Sequence, residues 1–266
     1  MHHLAELKEQ ERAACVIAER SLGVVAEPWD KDGLQGVPDA RLHFADGRTA
    51  AFEVTELVHQ PAKHTEALLA RDGHTWSTPG KWWWTINVGS PQDVPRLSRV
   101  YEQIILACES AGVHHPTQIA WGPNADKDVR WLVEESSCSM TGHPEADAPY
   151  VMVVPKAHGG AVDTKLTGLI EALAESFAQQ SHIVPHFEKL HRADADERHL
   201  FVPVHHTGVN ASVSLGLMFH SDALPSDPPP VPEYIDALWL APQFSRRVLL
   251  WTRDAGWRNL YPYEEV

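Results

Sequence analysis

The stretch Val37-Pro-Asp-Ala-Arg-Leu-His-Phe-Ala-Asp-Gly-Arg-Thr-Ala-Ala-Phe-Glu-Val-Thr-Glu-Leu57 holds two alternating runs around an Ala-Asp-Gly reversal. Ala40, Leu42 and Phe44 alternate with Asp39, Arg41 and His43, and Phe52 and Val54 alternate with Ala51, Glu53 and Thr55. Period-two alternation predicts half-buried strands, here Ala40 to Phe44 and Thr49 to Leu57. The reversal decides which faces coincide. A two-residue Asp46-Gly47 turn would set Asp39 against Val54 and mix polar with apolar. A three-residue loop, Ala45 to Gly47 with Gly47 left-handed, pairs Phe44 with Arg48 and Asp39 with Glu53. Register follows the hydrophobic pattern, so the second is expected, with Ala40, Leu42, Phe52 and Val54 on one core face.

That register sets two carboxylates side by side, with Cβ atoms about 4.5 to 5.5 Å apart. Such a pair repels itself unless a cation, a proton or strong donors compensate. Two readings are open from spacing alone. Asp39 and Glu53 are solvated acids near a turn, neutralised by Arg41 or Arg48, or they hold a hard divalent cation with waters completing its shell.

Pro38-Asp39 ahead of Glu53-Val54-Thr55, preceded by a helix carrying Glu11 or Glu19 as the further acid, resembles the PD-(D/E)xK pattern of the restriction-endonuclease-like superfamily. The whole stretch is similar to the core hairpin of uncharacterised bacterial members of that group. The resemblance covers residues 4 to 57 and rests on a short motif. It implies a restriction-endonuclease-like core in which Asp39 and Glu53 bind Mg²⁺ or Mn²⁺, with the Val54 carbonyl as a further ligand and Glu11 as an outer carboxylate. It also implies a metal-dependent hydrolase that cleaves a phosphodiester, most simply in DNA. Thr55 stands where that family has its catalytic lysine. Threonine donates a hydrogen bond but brings no positive charge. Lys63, Lys81 and Lys189 are the candidate replacements, and Lys189 in Phe187-Glu-Lys-Leu is preferred.

The rest of the chain alternates helix and strand signals. Helices are expected over Leu4 to Leu22, Pro61 to Ala70, Asp93 to Ala111, Thr164 to Gln179 and His186 to Ala193, with a loop over Glu27 to Pro38. Strands are expected over Lys81 to Val88, Tyr150 to Val154, His199 to Val204, Ser212 to Met218, Ile235 to Leu240 and Arg247 to Trp251. This order predicts an α/β fold, a mixed central sheet flanked by helices. The 266 residues read as one domain, with the motif-bearing core over residues 4 to 110 and an α/β extension after it.

Composition restricts the partners. No run reaches the about 18 apolar residues of a membrane span, and the charged N-terminus lacks a signal-peptide core, so a cytoplasmic protein is expected. Three cysteines, Cys15, Cys108 and Cys138, are too few for a disulfide scaffold. The formal net charge is −14, which opposes indiscriminate DNA binding, because such binding draws on a basic face. The charge, the absent motif lysine and the aromatic run Trp82-Trp83-Trp84 point to a second reading. In it the nuclease fold is repurposed as a non-nuclease enzyme or a binding protein for a small aromatic molecule. Histidines crowd between His182 and His206, but without a zinc signature.

Overall fold

The computed structural model describes residues 4–29, 36–71, 73–121, 125–156, 162–219 and 222–263. In chain order the elements are α1 (Glu9–Leu22), β1 (Val25–Pro28), β2 (Ala40–His43), β3 (Thr49–Val54), α2 (Gln60–Ala70) and β4 (Trp83–Val88). There follow α3 (Val94–Ala111), α4 (Lys127–Glu134), β5 (Ser139–His143), β6 (Tyr150–Pro155), α5 (Leu169–Gln179) and α6 (Ile183–Arg192). The chain ends with β7 (Glu197–Val204), α7 (Ala211–Phe219), β8 (Ala237–Pro242), β9 (Val248–Thr252) and β10 (Gly256–Leu260). These elements fall into two compact units, residues 1–59 with 159–266, and residues 60–158.

The first unit is built on a seven-stranded sheet in the order β1-β2-β3-β7-β8-β9-β10. Its two parallel joins are β3 with β7 and β7 with β8; the others are antiparallel. The β2–β3 register pairs Ala40 with Phe52 and Leu42 with Ala50. Gly47 sits at φ +90°, its N–H donates to the Phe44 carbonyl, and Phe44 N–H donates to the Arg48 carbonyl. This is the three-residue loop expected from the alternation, and it carries the register on to Asp39 opposite Glu53.

One face of this sheet is covered by α1. Its buried stripe of Ala14, Cys15, Ile17 and Ala18 packs with Ala40, Leu42, Phe52 and Val54 in one cluster. Small side chains on the helix let it approach the strands closely. Gly23 ends α1 at φ 66°, its N–H returned to the Glu19 carbonyl. The opposite face carries Ala51, packed with Leu169, Leu173 and Phe177 of α5 and with Ile183 and Leu190 of α6. Glu53 lies on this second face, between strands and helices.

The second unit is a three-stranded sheet, β5-β4-β6, with β4 antiparallel to β5 and parallel to β6. Trp84 and Ile86 of β4 join Leu97, Ile104 and Ile105 of α3 in its core. Trp82 stacks on Trp84 with ring centroids 6.1 Å apart, while Trp83 packs on Tyr150 at 5.0 Å. The alternation expected of the tryptophan run is present. Glu109 of α3 pins that strand by accepting from Lys81 N at 2.8 Å, Trp82 N at 3.1 Å and Trp84 Nε1 at 3.1 Å.

Several expectations differ from the structure. Ser212 to Met218, expected as a strand, lies within α7. The Asn210 side chain accepts from Val213 N at 3.0 Å at the start of that helix. Gly216 allows the approach, since a Cβ there would come within 2.2 Å of the Asp163 carbonyl. The composition of Glu27 to Pro38 predicts a loop, yet Glu27 and Pro28 belong to β1; residues 30–35 of that segment lie outside the described residues. The core over residues 4 to 110 is replaced by a discontinuous unit, because β3 takes β7 as its neighbour rather than a strand that follows closely. Cys138 sits in a polar sequence but is buried. Among the described residues no helix is long and apolar enough to cross a membrane.

Candidate functional site

Three strands present one row of side chains to the helices. Continuing the β1–β2 and β2–β3 registers by one residue places Trp29 opposite Asp39 and Asp39 opposite Glu53. Trp29 N–H donates to the Asp39 carbonyl at 3.0 Å, which holds that continuation in place. Trp29 packs against the cluster that contains Ala51, so the row faces α5 and α6.

Glu53 is fully buried, and both its oxygens are engaged. Oε2 accepts from Asp39 N at 3.1 Å. Oε1 accepts from Lys189 Nζ at 2.8 Å and lies 2.5 Å from His186 Nδ1. A buried carboxylate without partners would cost several kcal/mol, and these donors offset that cost. Of the three lysines considered from the sequence, α6 thus brings Lys189 to the acidic pair. Lys63 and Lys81 belong to the other unit. His186 was not foreseen. The available signal was its three-residue spacing from Lys189, which puts both on one helical face.

Asp39 accepts from Val54 N at 2.8 Å through Oδ2. Its other oxygen takes no hydrogen bond among the described residues. Burial, then the charge of Glu53, pushes the Asp39 carboxyl up to about 7 from its ordinary value, against the opposing hydrogen bond from Val54. Glu11 adds a smaller raising contribution and Lys189 a lowering one. Glu11 itself caps α1, accepting from Lys8 N at 3.0 Å and from Lys8 Nζ at 2.8 Å. Glu19 accepts from Ala26 N at 3.0 Å and serves the α1–β1 turn.

Val54 and Thr55 complete the site. Thr55 N donates to the Phe201 carbonyl of β7, so the backbone groups of Val54 point the other way, towards Asp39. The Val54 carbonyl is therefore on the side of the acidic pair. Thr55 shares the face of Glu53 and is 5% exposed. Its Oγ1 is buried and finds no hydrogen-bond partner among the described residues. An orphaned buried hydroxyl is costly unless a ligand or water meets it.

No protein-family model, no curated protein and no solved structure matches this chain.

The donor set suits a hard divalent cation in part. The Asp39 carboxylate with one unengaged oxygen, the Val54 carbonyl side and the orphaned Thr55 hydroxyl are oxygen donors of the right kind. A cation beside Asp39 would also relieve the field that raises its pKa. Glu53 is already neutralised by Lys189, so it would join a cation only by sharing or releasing that contact.

Proposed function

We propose that the Asp39–Glu53 site belongs to a divergent, restriction-endonuclease-like protein that hydrolyses phosphodiesters, most simply in DNA. The observation that carries this reading is the meeting of Lys189 with Glu53 at 2.8 Å, beside an in-register Asp39. It returns to the acidic pair the positive charge that Thr55 does not provide. The order of helix, antiparallel hairpin, helix and parallel strand around the site is compatible with such a core.

Asp39, the Val54 carbonyl and Glu53 would hold Mg²⁺ or Mn²⁺. When bound, the cation supplies charge stabilisation to the phosphate and a more acidic water. Lys189 offers positive charge next to the reacting phosphate, and His186 holds the Glu53 carboxylate in its orientation. The Thr55 hydroxyl donates to or accepts from whatever enters.

A second reading keeps the fold and drops the cleavage. The net charge of −14 favours a non-nuclease enzyme or binding protein for a small aromatic molecule.

The deciding experiment is a cleavage assay on single- and double-stranded DNA and RNA with Mg²⁺ or Mn²⁺, run beside Asp39→Ala and Glu53→Ala. Metal-dependent cleavage abolished by both substitutions is expected, with Lys189→Gln slowed about a hundredfold. Full activity in either carboxylate variant rejects the site, and no cleavage of any substrate by the native chain favours the second reading.

A further inference from the structure

Arg41 follows Asp39 by two positions and so shares its face of β2. Its guanidinium carbon lies 3.8 Å from the centroid of the Trp29 ring, and Trp29 is the residue opposite Asp39. One N–H group reaches the Asp194 carbonyl at 3.3 Å, just beyond the end of α6. The guanidinium is therefore held from two sides, by an indole and by a backbone oxygen. Among the described residues Arg41 has no carboxylate partner, although the chain carries 36 Asp and Glu. The exposed Arg48, by contrast, is tied to Asp46 and Glu197. An arginine that is fixed in position yet left without a counter-anion keeps N–H donors for one, and guanidinium is well matched to phosphate oxygens.

We infer that Arg41, held against Trp29, is the phosphate-anchoring residue of the Asp39–Glu53 site. The inference rests on the phosphodiesterase reading and deepens it. Lys189 is committed to Glu53, so the charge that first receives an anionic substrate comes from another residue on the same sheet face. In this division Arg41 binds and Lys189 acts beside the carboxylates. Locally placed positive charge also suits a chain whose overall balance is acidic, since it needs no basic surface to bind one phosphate group.

The test is the anisotropy of a fluorescein-labelled single-stranded oligodeoxynucleotide titrated with the full chain in EDTA, where metal-dependent cleavage is silent. Arg41→Gln is expected to weaken binding about tenfold and to lower the salt dependence by about one phosphate contact. Arg41→Lys is expected to recover only part of the loss, because an ammonium neither stacks on the indole nor offers a planar fork. Arg48→Gln, at the far end of the hairpin, is expected to bind like the native chain. Melting curves of all three variants are taken alongside, so a folding defect is seen as such. Native binding by Arg41→Gln, or an equal loss in Arg48→Gln, overturns the anchor and leaves the cleavage reading standing. Failure of the native chain to bind the oligonucleotide in EDTA overturns the anchor, while the cleavage assay with metal decides the phosphodiesterase reading separately.

Discussion

Lys189 and Glu53, separated by 136 positions in the chain, meet at 2.8 Å on the sheet face that packs against α5 and α6. The contact joins α6 to β3 and sets an ammonium against a fully buried carboxyl group. Removing the lysine alone leaves the buried Glu53 with only the Asp39 N–H and His186 as partners. Lys189→Met is therefore expected to destabilise the chain by about 3 kcal/mol in urea unfolding. Adding Glu53→Gln to Lys189→Met should recover most of the loss. Simple additivity of the two substitutions would show that the pair is not coupled.

Asp39 links stability to pH. Burial and the neighbouring Glu53 raise its carboxyl from 3.8 to about 7, so the folded chain holds a proton there that the unfolded chain has released. Stability from this group is full below pH about 4, falls as pH rises towards 7, and levels off above. Asp39→Asn removes the dependence. The melting temperature of the variant is expected to pull ahead of the native one between pH 4.5 and 7, with a constant gap at higher pH. A gap that does not change with pH would refute the coupling.

A divalent cation should act in the opposite sense. At pH 8, where Asp39 is ionised, Mn²⁺ in excess is expected to raise the native melting temperature through preferential binding to the folded state. At pH 5 the same addition should do little, since a proton occupies the carboxylate. Asp39→Asn should respond at neither pH. A shift of equal size in the variant would place the ion elsewhere.

Thr55 separates stability from chemistry. Its buried Oγ1 has no partner among the described residues, so Thr55→Val is expected to stabilise the chain by about 1 kcal/mol. If the hydroxyl meets a ligand, the same variant loses cleavage or ligand binding. A variant that is both more stable and fully active would reduce Thr55 to a packing residue.

In the other unit, Glu109 gathers three N–H donors from Lys81, Trp82 and Trp84. Glu109→Ala is expected to cost about 2 to 3 kcal/mol and to alter the near-ultraviolet circular dichroism of the tryptophans. An unchanged spectrum would mean that the stack of Trp82 on Trp84 holds without this carboxylate.

The hairpin was legible in the sequence because two local rules agreed there. Alternation selects the three-residue loop over the two-residue one, the turn residues permit it, and neither rule needs information from outside residues 37 to 57. The preference for Lys189 was legible only as one lysine among three. Its contact depends on how α6 crosses the sheet, which local patterns do not encode. His186 escaped for the same reason, although its spacing from Lys189 was on view. Residues 211 to 219 misled because Ser-Val-Ser-Leu-Gly-Leu alternates like a strand. There the tight approach to Asp163 at Gly216 and the cap from Asn210 outweigh the local pattern. The division into two units left no composition shift at residue 60 or 158 by which to read it.

The parallel join of β3 to β7 also sets an order of events during synthesis. Residues 60 to 158 leave the ribosome with every strand of their own sheet in one span, and domains tend to fold as they emerge. Meanwhile β3 waits with one backbone edge open and Glu53 without its lysine. A nascent chain stopped before residue 183 would carry a finished insert beside an unfinished sheet, exposed to the strand-on-strand association that open edges invite. The carboxylate at the heart of the site is among the last groups in the molecule to gain its counter-charge.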